Sequence, residues 1–272
     1  MRRWLERPEG RLAYEVQGEG PLVVCAHGMG DLRSQFRLLA PALVAAGYRV
    51  ASLDLRGHGE SDVSFSSYGP EAVGADLLAL VEAEGGRAVV VANSAAAASA
   101  VWAAAEAPER VAGLALLGPV ARDGERDRPM APWLQRLLGV VLSGPWGPSV
   151  WLRFYDAFYV AGHPPDHAEN RARIRASLTD RRRLRALWDT GTLPKGGCAA
   201  RIGEVRAPSL VVMGTRDPDF ADPSAEAAWL AGALGGRAEL LDGVGHYPHL
   251  ERPDETARIL VGWLEPACHA QG

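Results

Sequence analysis

A chain of 272 residues, 47% hydrophobic and 23% charged, has the composition of an ordinary soluble globular protein large enough to bury an extensive core. Its net charge of -4 and the lack of a basic tail exclude a protein built to grip nucleic acid. The opening MRRWLERPEG has no apolar run behind it and nothing later reaches membrane-spanning length, so neither a signal peptide nor a membrane partner is expected.

Cys25, Cys198 and Cys268 are odd in number and far apart, which suits free thiols in a reducing, cytoplasmic compartment. Lys195 is the sole lysine beside many arginines, and the chain is rich in alanine and glycine. That usage matches a GC-rich, bacterial coding sequence.

In chain order, residues 11–17 alternate like a strand with one covered face, and 21–26 (PLVVCA) form a continuous apolar run, as a strand buried on both faces should. A helix is expected near 34–46, with Phe36, Leu39, Leu43 and Val44 on one stripe and Gly47 as its stop. Strand 48–54 leads into a Gly- and Ser-rich loop, and a helix over 71–84 ends at Gly85-Gly86. RAVVVAN (87–93) is the most strand-like run; an alanine-rich helix follows it to Ala107, and 111–118 makes another buried strand. Strand 208–214, a helix near 223–234, strand 237–243 and a helix over 251–264 complete the series. This rhythm predicts an α/β fold with a mostly parallel sheet and helices on both faces.

Residues 120–206 interrupt the rhythm, dividing a core of 1–119 and 207–272. The interruption holds Trp133, Trp146, Trp151, Phe154, Tyr155, Phe158, Tyr159 and Trp188. Trp151, Phe154, Tyr155 and Phe158 fall on one helical face. With fourteen arginines and one lysine against nine acids, it reads as a helical insertion over one end of the sheet. Gly139, Gly144 and Gly147, with Pro145 and Pro148, mark a break between its helices.

Three residues form a candidate catalytic set. Ser94 sits where strand 87–93 turns into helix 95–107, a sharp turn that lifts a hydroxyl above the C-terminal edge of a sheet. Such a turn needs small residues two places to either side. Ala92 and Ala96 meet that need in size, although glycine is usual there, and a helix N-cap serine would look the same locally. His246 lies in a loop after strand 237–243, where a neutral imidazole can take a serine proton and return it. His249 is its positional rival. Asp217 follows strand 208–214 and can orient the imidazole, with Asp219 and Asp222 as neighbours able to compete. After strand 21–26, the turn His27-Gly28-Met29-Gly30 can present the Met29 amide to an oxyanion, with the Ala95 amide as second donor.

HGMGD, DLRGHGESD, ANSAA, GTRDPDF and GVGHYPH together resemble the α/β-hydrolase superfamily, in its order and spacing, across nearly the whole chain. The resemblance implies an α/β-hydrolase fold, a triad of Ser94, Asp217 and His246, an oxyanion hole from Met29 and Ala95, and a cap made by 120–206. The two alanines at the nucleophile turn depart from the family's G-x-S-x-G pattern.

A serine nucleophile points to an acyl-enzyme and argues against dehalogenase- and epoxide-hydrolase-like chemistry, which needs a carboxylate in that place. No metal-ligand cluster and no G-x-G-x-x-G after a strand is seen, so no cofactor is expected. The leading expectation is cleavage of a carboxylic ester, lactone or thioester of a small to medium apolar molecule. Trp151, Phe154, Tyr155, Phe158 and Trp188 are candidate pocket residues, although such a face equally serves internal packing. Asn93-Ser94 also resembles the Asn-Ser of hydrolases that cleave carbon–carbon bonds of ring-opened dienoates, whose carboxylate Arg171, Arg173, Arg175, Arg181, Arg182, Arg183 or Arg185 could hold. A cofactor-free peroxidase or acyltransferase, or a non-hydrolytic small-molecule receptor, remains open on the same scaffold.

Overall fold

The structure, a computed structural model, describes residues 2–123 and 144–269, with side chains through residue 264. Trp133 and Gly139 lie outside the described residues, as does the side chain of Cys268. Cys25 and Cys198 are buried free thiols.

Eight strands make one sheet: β1 (Arg2–Arg7), β2 (Gly10–Gln17), β3 (Leu22–Ala26), β4 (Arg49–Leu53), β5 (Ala88–Asn93), β6 (Val111–Leu117), β7 (Ser209–Gly214) and β8 (Arg237–Leu241). They are ordered β1-β2-β4-β3-β5-β6-β7-β8. β2 runs antiparallel to both its neighbours, and β4, β3, β5, β6, β7 and β8 pair in parallel. Every residue of β3, β5 and β7 is buried, as central strands covered on both faces require.

Alternate side chains feed two cores. Val24, Ala26, Val90 and Ala92 pack on one face beneath α2 (Pro70–Ala83), α3 (Ala96–Glu106) and α8 (Pro223–Ala233). Val23, Cys25, Val89 and Val91 face α1 (Leu39–Ala45) and α10 (Pro253–His269) on the other. Each fully buried Val or Leu side chain contributes about 1.5–3 kcal/mol of transfer free energy.

Three boundaries differ from the sequence expectations. The helix expected over 34–46 is a 3-10 turn, Arg33–Phe36, followed by α1. Pro41 cannot donate to residue 37 and its ring would strike that carbonyl, so a continuous helix is blocked and α1 restarts with the proline in its first turn. Near the end, Pro253 pushes Arg252 out of helical geometry (φ -137°, ψ 63°), which separates the short α9 (Pro248–Glu251) from α10. β1 was not foreseen, because Leu5 is its only buried residue and no alternation marks it.

Between β6 and β7 the chain leaves the sheet and forms α4 (Gly147–Ala157), α5 (His167–Ser177), α6 (Arg181–Thr192) and the one-turn α7 (Gly196–Ala199). We call this segment the cap. Trp151, Leu152, Tyr155, Ile174, Leu184 and Leu187 make its own apolar cluster, which also takes in Tyr247 and Leu250 from the core.

Candidate active site

The turn after β5 has the geometry its position demands. Ser94 is the only non-glycine with positive φ among the described residues, at 54°. That left-handed conformation is unfavourable for a residue with a Cβ, and here surrounding contacts impose it. The Ser94 amide donates to the Leu117 carbonyl (3.1 Å), and its own carbonyl accepts from Ala97 and Val120 at 2.9 and 3.1 Å. Gly28 permits the close approach: a Cβ there would lie 2.8 Å from that of Ser94. Ala92 and Ala96 are buried on either side, so the turn forms with two methyl groups in place of the usual glycine hydrogens.

His246 and Asp217 meet over the ends of β6 and β7. His246 Nδ1 is 2.7 Å from Asp217 Oδ2, and the Asp219 amide donates to Asp217 Oδ1 at 3.0 Å. Asp217 holds the Nδ1 proton, so in the neutral ring Nε2 is the nitrogen able to accept a proton. Gly118 makes the pairing sterically feasible, since a Cβ there would sit 2.6 Å from the His246 carbonyl oxygen and 3.3 Å from Asp217 Oδ2. Burial of His246 alone would lower its pKa, but the charges of Asp217 and Asp219 outweigh that and raise it to about 9. The rival His249 is fully buried, stacks on Phe36, and is pushed down to about 3 by burial. Asp222 instead caps α8, accepting from the Ala225 amide at 2.9 Å.

Backbone groups of the turn after β3 are tied down one by one. His27 donates from Nδ1 to the Gly28 carbonyl (2.7 Å) because its Nε2 accepts from the Leu55 amide (3.1 Å). His58 accepts the Gly30 amide at Nε2 (3.1 Å) and donates from Nδ1 to the Arg56 carbonyl (3.0 Å). Burial lowers the pKa of these rings to about 4 and about 3, keeping both neutral and able to accept. Gly28 donates to Gln35 Oε1 at 3.3 Å, and Trp151 Nε1 donates to the Gly30 carbonyl at 3.1 Å. Among the described residues, the Met29 and Ala95 amides have no protein acceptor, and both residues line the cavity that holds Ser94. Two unspent amides beside a serine hydroxyl are an arrangement able to receive an oxyanion.

Two buried networks were not foreseen. Gln35 Nε2 donates to Asn93 Oδ1 (2.9 Å), while Asn93 Nδ2 donates to the Leu117 carbonyl (2.7 Å) and, more weakly, to that of His246 (3.4 Å). The second is Glu251, whose carboxylate accepts from Val160 (2.8 Å) and Ala161 (2.6 Å) in the cap and from Gly245 (3.1 Å) beside His246. The adjacency of Asn93 to Ser94 was legible, but nothing in the sequence announced the role of Glu251.

The cavity above Ser94 has a volume of about 880 Å³ and is also lined by Met29, Trp151, Phe158 and His246. Of the aromatic candidates, Trp151 and Phe158 therefore reach it. Phe154 does not: it is 58% exposed on the outer side of α4. Tyr155 is fully buried inside the cap cluster, hydrogen-bonded to Tyr159 (2.8 Å), and half-buried Trp188 is not on the wall. A helix with four aromatics at this spacing cannot turn all of them into one cleft, so packing takes a share. None of the seven cap arginines considered as carboxylate holders lines the cavity. Arg171 pairs with Asp156, Arg173 with Glu169, Arg182 with Asp180 and Arg185 with Asp189, and Arg183 donates to the Ser61 carbonyl. Asp156, His163 and His167 have ligand atoms close enough for a metal ion, but Asp156 is already taken up by Arg171 and His167.

The sequence matches the model of the Alpha/beta hydrolase family over residues 23–259. It is 27% identical to 2-hydroxy-6-oxo-6-phenylhexa-2,4-dienoate hydrolase of Comamonas testosteroni, over 92% of this chain and 90% of that one. It is 26% identical to Epoxide hydrolase A of Mycobacterium tuberculosis, over 93% and 94% of the two chains. A thermophilic esterase from Thermogutta terrifontis superposes with a TM-score of 0.77 at 25% identity, covering 98% of this chain and 99% of the other. An eight-stranded, mostly parallel sheet with the motifs at its strand ends and a family match over most of its length lead to one conclusion: the chain belongs to the alpha/beta hydrolase family.

Proposed function

We propose that this hydrolase cleaves a carboxylic ester, lactone or thioester through an acyl-enzyme on Ser94. The observation that carries the reading is the convergence, on one cavity, of Ser94, of the Asp217-paired His246 and of two amides without acceptors. In this reaction the Ser94 hydroxyl oxygen bonds to the acyl carbon while its proton passes to His246 Nε2. The carbonyl π electrons move onto oxygen, where the Met29 and Ala95 amides receive them. Collapse breaks the bond to the leaving group, which departs with the proton from His246. Water then repeats the sequence on the acyl-enzyme, releasing the acid and restoring Ser94. Asp217 holds the imidazole and offsets the positive charge it acquires.

Hydrolysis of p-nitrophenyl esters by the wild-type protein, abolished in Ser94→Ala, is the expected result. Turnover by Ser94→Ala at the wild-type rate would contradict the reading. The Comamonas testosteroni relative favours a second reading, carbon–carbon cleavage of a dienoate acid on the same triad. The side chain of Asn93 is committed to Gln35 and Leu117, and the cavity wall carries Asp123, Asp219, Asp222 and Glu226 against Arg122 and Lys195, an acidic balance that favours a neutral ester over a dienoate acid. A kcat/KM for a vinylogous diketone acid well above that for an aryl ester would reverse the choice. A non-hydrolytic receptor would instead be labelled once at Ser94 and show no turnover.

A further inference from the structure

Gly191 sits in the last turn of α6, and its φ is not in the left-handed region, so the backbone there does not call for glycine. Alanine is the better helix former, because glycine gives up more chain entropy on folding. What the missing side chain supplies is room. A Cβ at Gly191 would overlap Met29 Sδ and stand 3.0 Å from Met29 Cε and 3.3 Å from its Cγ. The thioether of Met29 therefore lies across the place where a side chain of residue 191 would begin. Leu187, one turn earlier on the same face of α6, presses on the next residue of that turn: a Cβ at Gly30 would be 2.6 Å from Leu187 Cδ1 and 2.5 Å from the Trp151 ring. Met29 packs against the cap cluster to which Trp151 and Leu187 belong. The turn after β3 is thus seated on α4 and α6, and Met29 fills a notch that Gly191 leaves open.

Met29 and Gly191 line the same cavity as Ser94. On the cap side Met29 is closed in by Leu187, Trp151 and the notch itself, so the direction left to its side chain is the cavity. Methionine is unbranched and turns easily about its side-chain bonds, so a methyl group at residue 191 would swing the thioether out of the cap and into the reaction space. Phe158 and Tyr247 flank His246, with ring centroids 4.9 and 5.1 Å from the imidazole. In the proposed reaction the leaving group takes its proton from His246 and so occupies the end of the cavity those rings share. The wall made by Met29 and Gly191 is left to the acyl chain.

We propose that Gly191 is a specificity-determining residue: by housing the Met29 side chain within the cap, it keeps open the part of the cavity that receives an uncharged acyl chain of medium length. This rests on the acyl-enzyme reading above for which end of the substrate lies there, though not for the wall itself. The Met29 amide stays with the backbone of its turn, whose neighbouring groups are bonded to His27 and His58, so the side chain can move without carrying the donor away. The competing role is a glycine that only lets α6 pack on the turn. In that case alanine would loosen the cap and slow every substrate alike.

The test compares kcat/KM for p-nitrophenyl octanoate and p-nitrophenyl acetate in wild type, Gly191→Ala, Met29→Ala and the double variant, with each melting temperature measured alongside. Gly191→Ala is expected to lower the octanoate-to-acetate ratio about 10-fold, the scale of about two methylene groups that no longer find a place in the cavity. The double variant, which removes the displaced thioether, restores the ratio. Met29→Ala alone raises it, because the emptied notch joins the cavity, and this arm stands even where Gly191→Ala does not fold. A parallel fall for both esters, an unchanged ratio in Gly191→Ala, or no rise in Met29→Ala would overturn the proposal. Binding of 2-octanone and 2-butanone, ketones that cannot be hydrolysed, is followed by tryptophan fluorescence and reads the wall without turnover. If the wild type hydrolyses neither ester but Gly191→Ala weakens 2-octanone binding relative to 2-butanone, the reaction assignment fails and the role of Gly191 stands. Equal weakening of both ketones would overturn it.

Discussion

The backbone amide of His246 donates to the carbonyl of Phe158 at 3.0 Å, and the two rings lie 4.9 Å apart. The base of the proposed triad is thus hung from the loop that ends the first described cap helix. Glu251 reinforces the same junction by accepting amides from both sides of it. Cap position and histidine position are therefore coupled through main-chain bonds, and a change in this junction reaches the reaction centre without touching substrate.

Glu251→Gln tests that coupling. One oxygen becomes an NH2 group that faces backbone N–H donors, so several buried amides lose their acceptor. The expected cost is about 2 kcal/mol of stability, because unsatisfied buried donors retain their desolvation penalty. Chemical denaturation gives the stability change, and kcat should fall with it while the protein remains folded.

The acidic limb of the pH profile reports His246, which must be neutral to act as a base. With its pKa raised to about 9 by Asp217 and Asp219 against burial, the limb of kcat/KM rises on the alkaline side of neutrality. Asp219→Asn removes one of the charges that favour the imidazolium. The pKa falls, the base is neutral at lower pH, and the limb moves down by about 1 pH unit. An unmoved limb would show that Asp219 does not influence the base.

Gly118→Ala places a methyl group 2.6 Å from the His246 carbonyl oxygen, at a φ of 50° that alanine adopts reluctantly. The Asp217–His246 pair must shift to accommodate it. Activity is expected to drop about 10²-fold, the scale on which small displacements of reacting groups act. Measured kcat with unchanged far-ultraviolet dichroism separates this from unfolding.

Asp31 predicts a pH dependence of stability. Burial raises its pKa from 3.8 to about 7, and its Oδ2 has no hydrogen-bond partner among the described residues. The folded state holds the proton more tightly than the unfolded chain does, so stability declines as pH rises from about 4 towards 7 and is level above it. Urea midpoints at pH 5 and pH 8 should differ less for Asp31→Asn than for wild type.

Much of the site was legible because its parts sit at strand ends that apolar runs announce. Ser94, Asp217 and His246 each follow a strand the sequence marks clearly, and the structure brings Ser94 and His246 to one cavity, with Asp217 on His246 Nδ1. The arrangement around them was less so. β1 carries one buried side chain and no pattern, and the break before α1 depends on a proline clash that a stripe of apolar residues conceals. Phe154 and Phe158 are equivalent in spacing, yet one faces solvent and the other the cavity, because the rotation of α4 is set by what packs beneath it. Glu251 gains its role from accepting amides 91 and 90 residues earlier in the chain, and that leaves no local signature.

The assignment of Ser94 as nucleophile is tested most directly by a fluorophosphonate probe followed by peptide mapping. One equivalent of label is expected on the peptide containing Ala92–Asn93–Ser94, and none in His246→Ala protein within the same time. Label on any other residue, or equal labelling of Ser94→Ala, would contradict it.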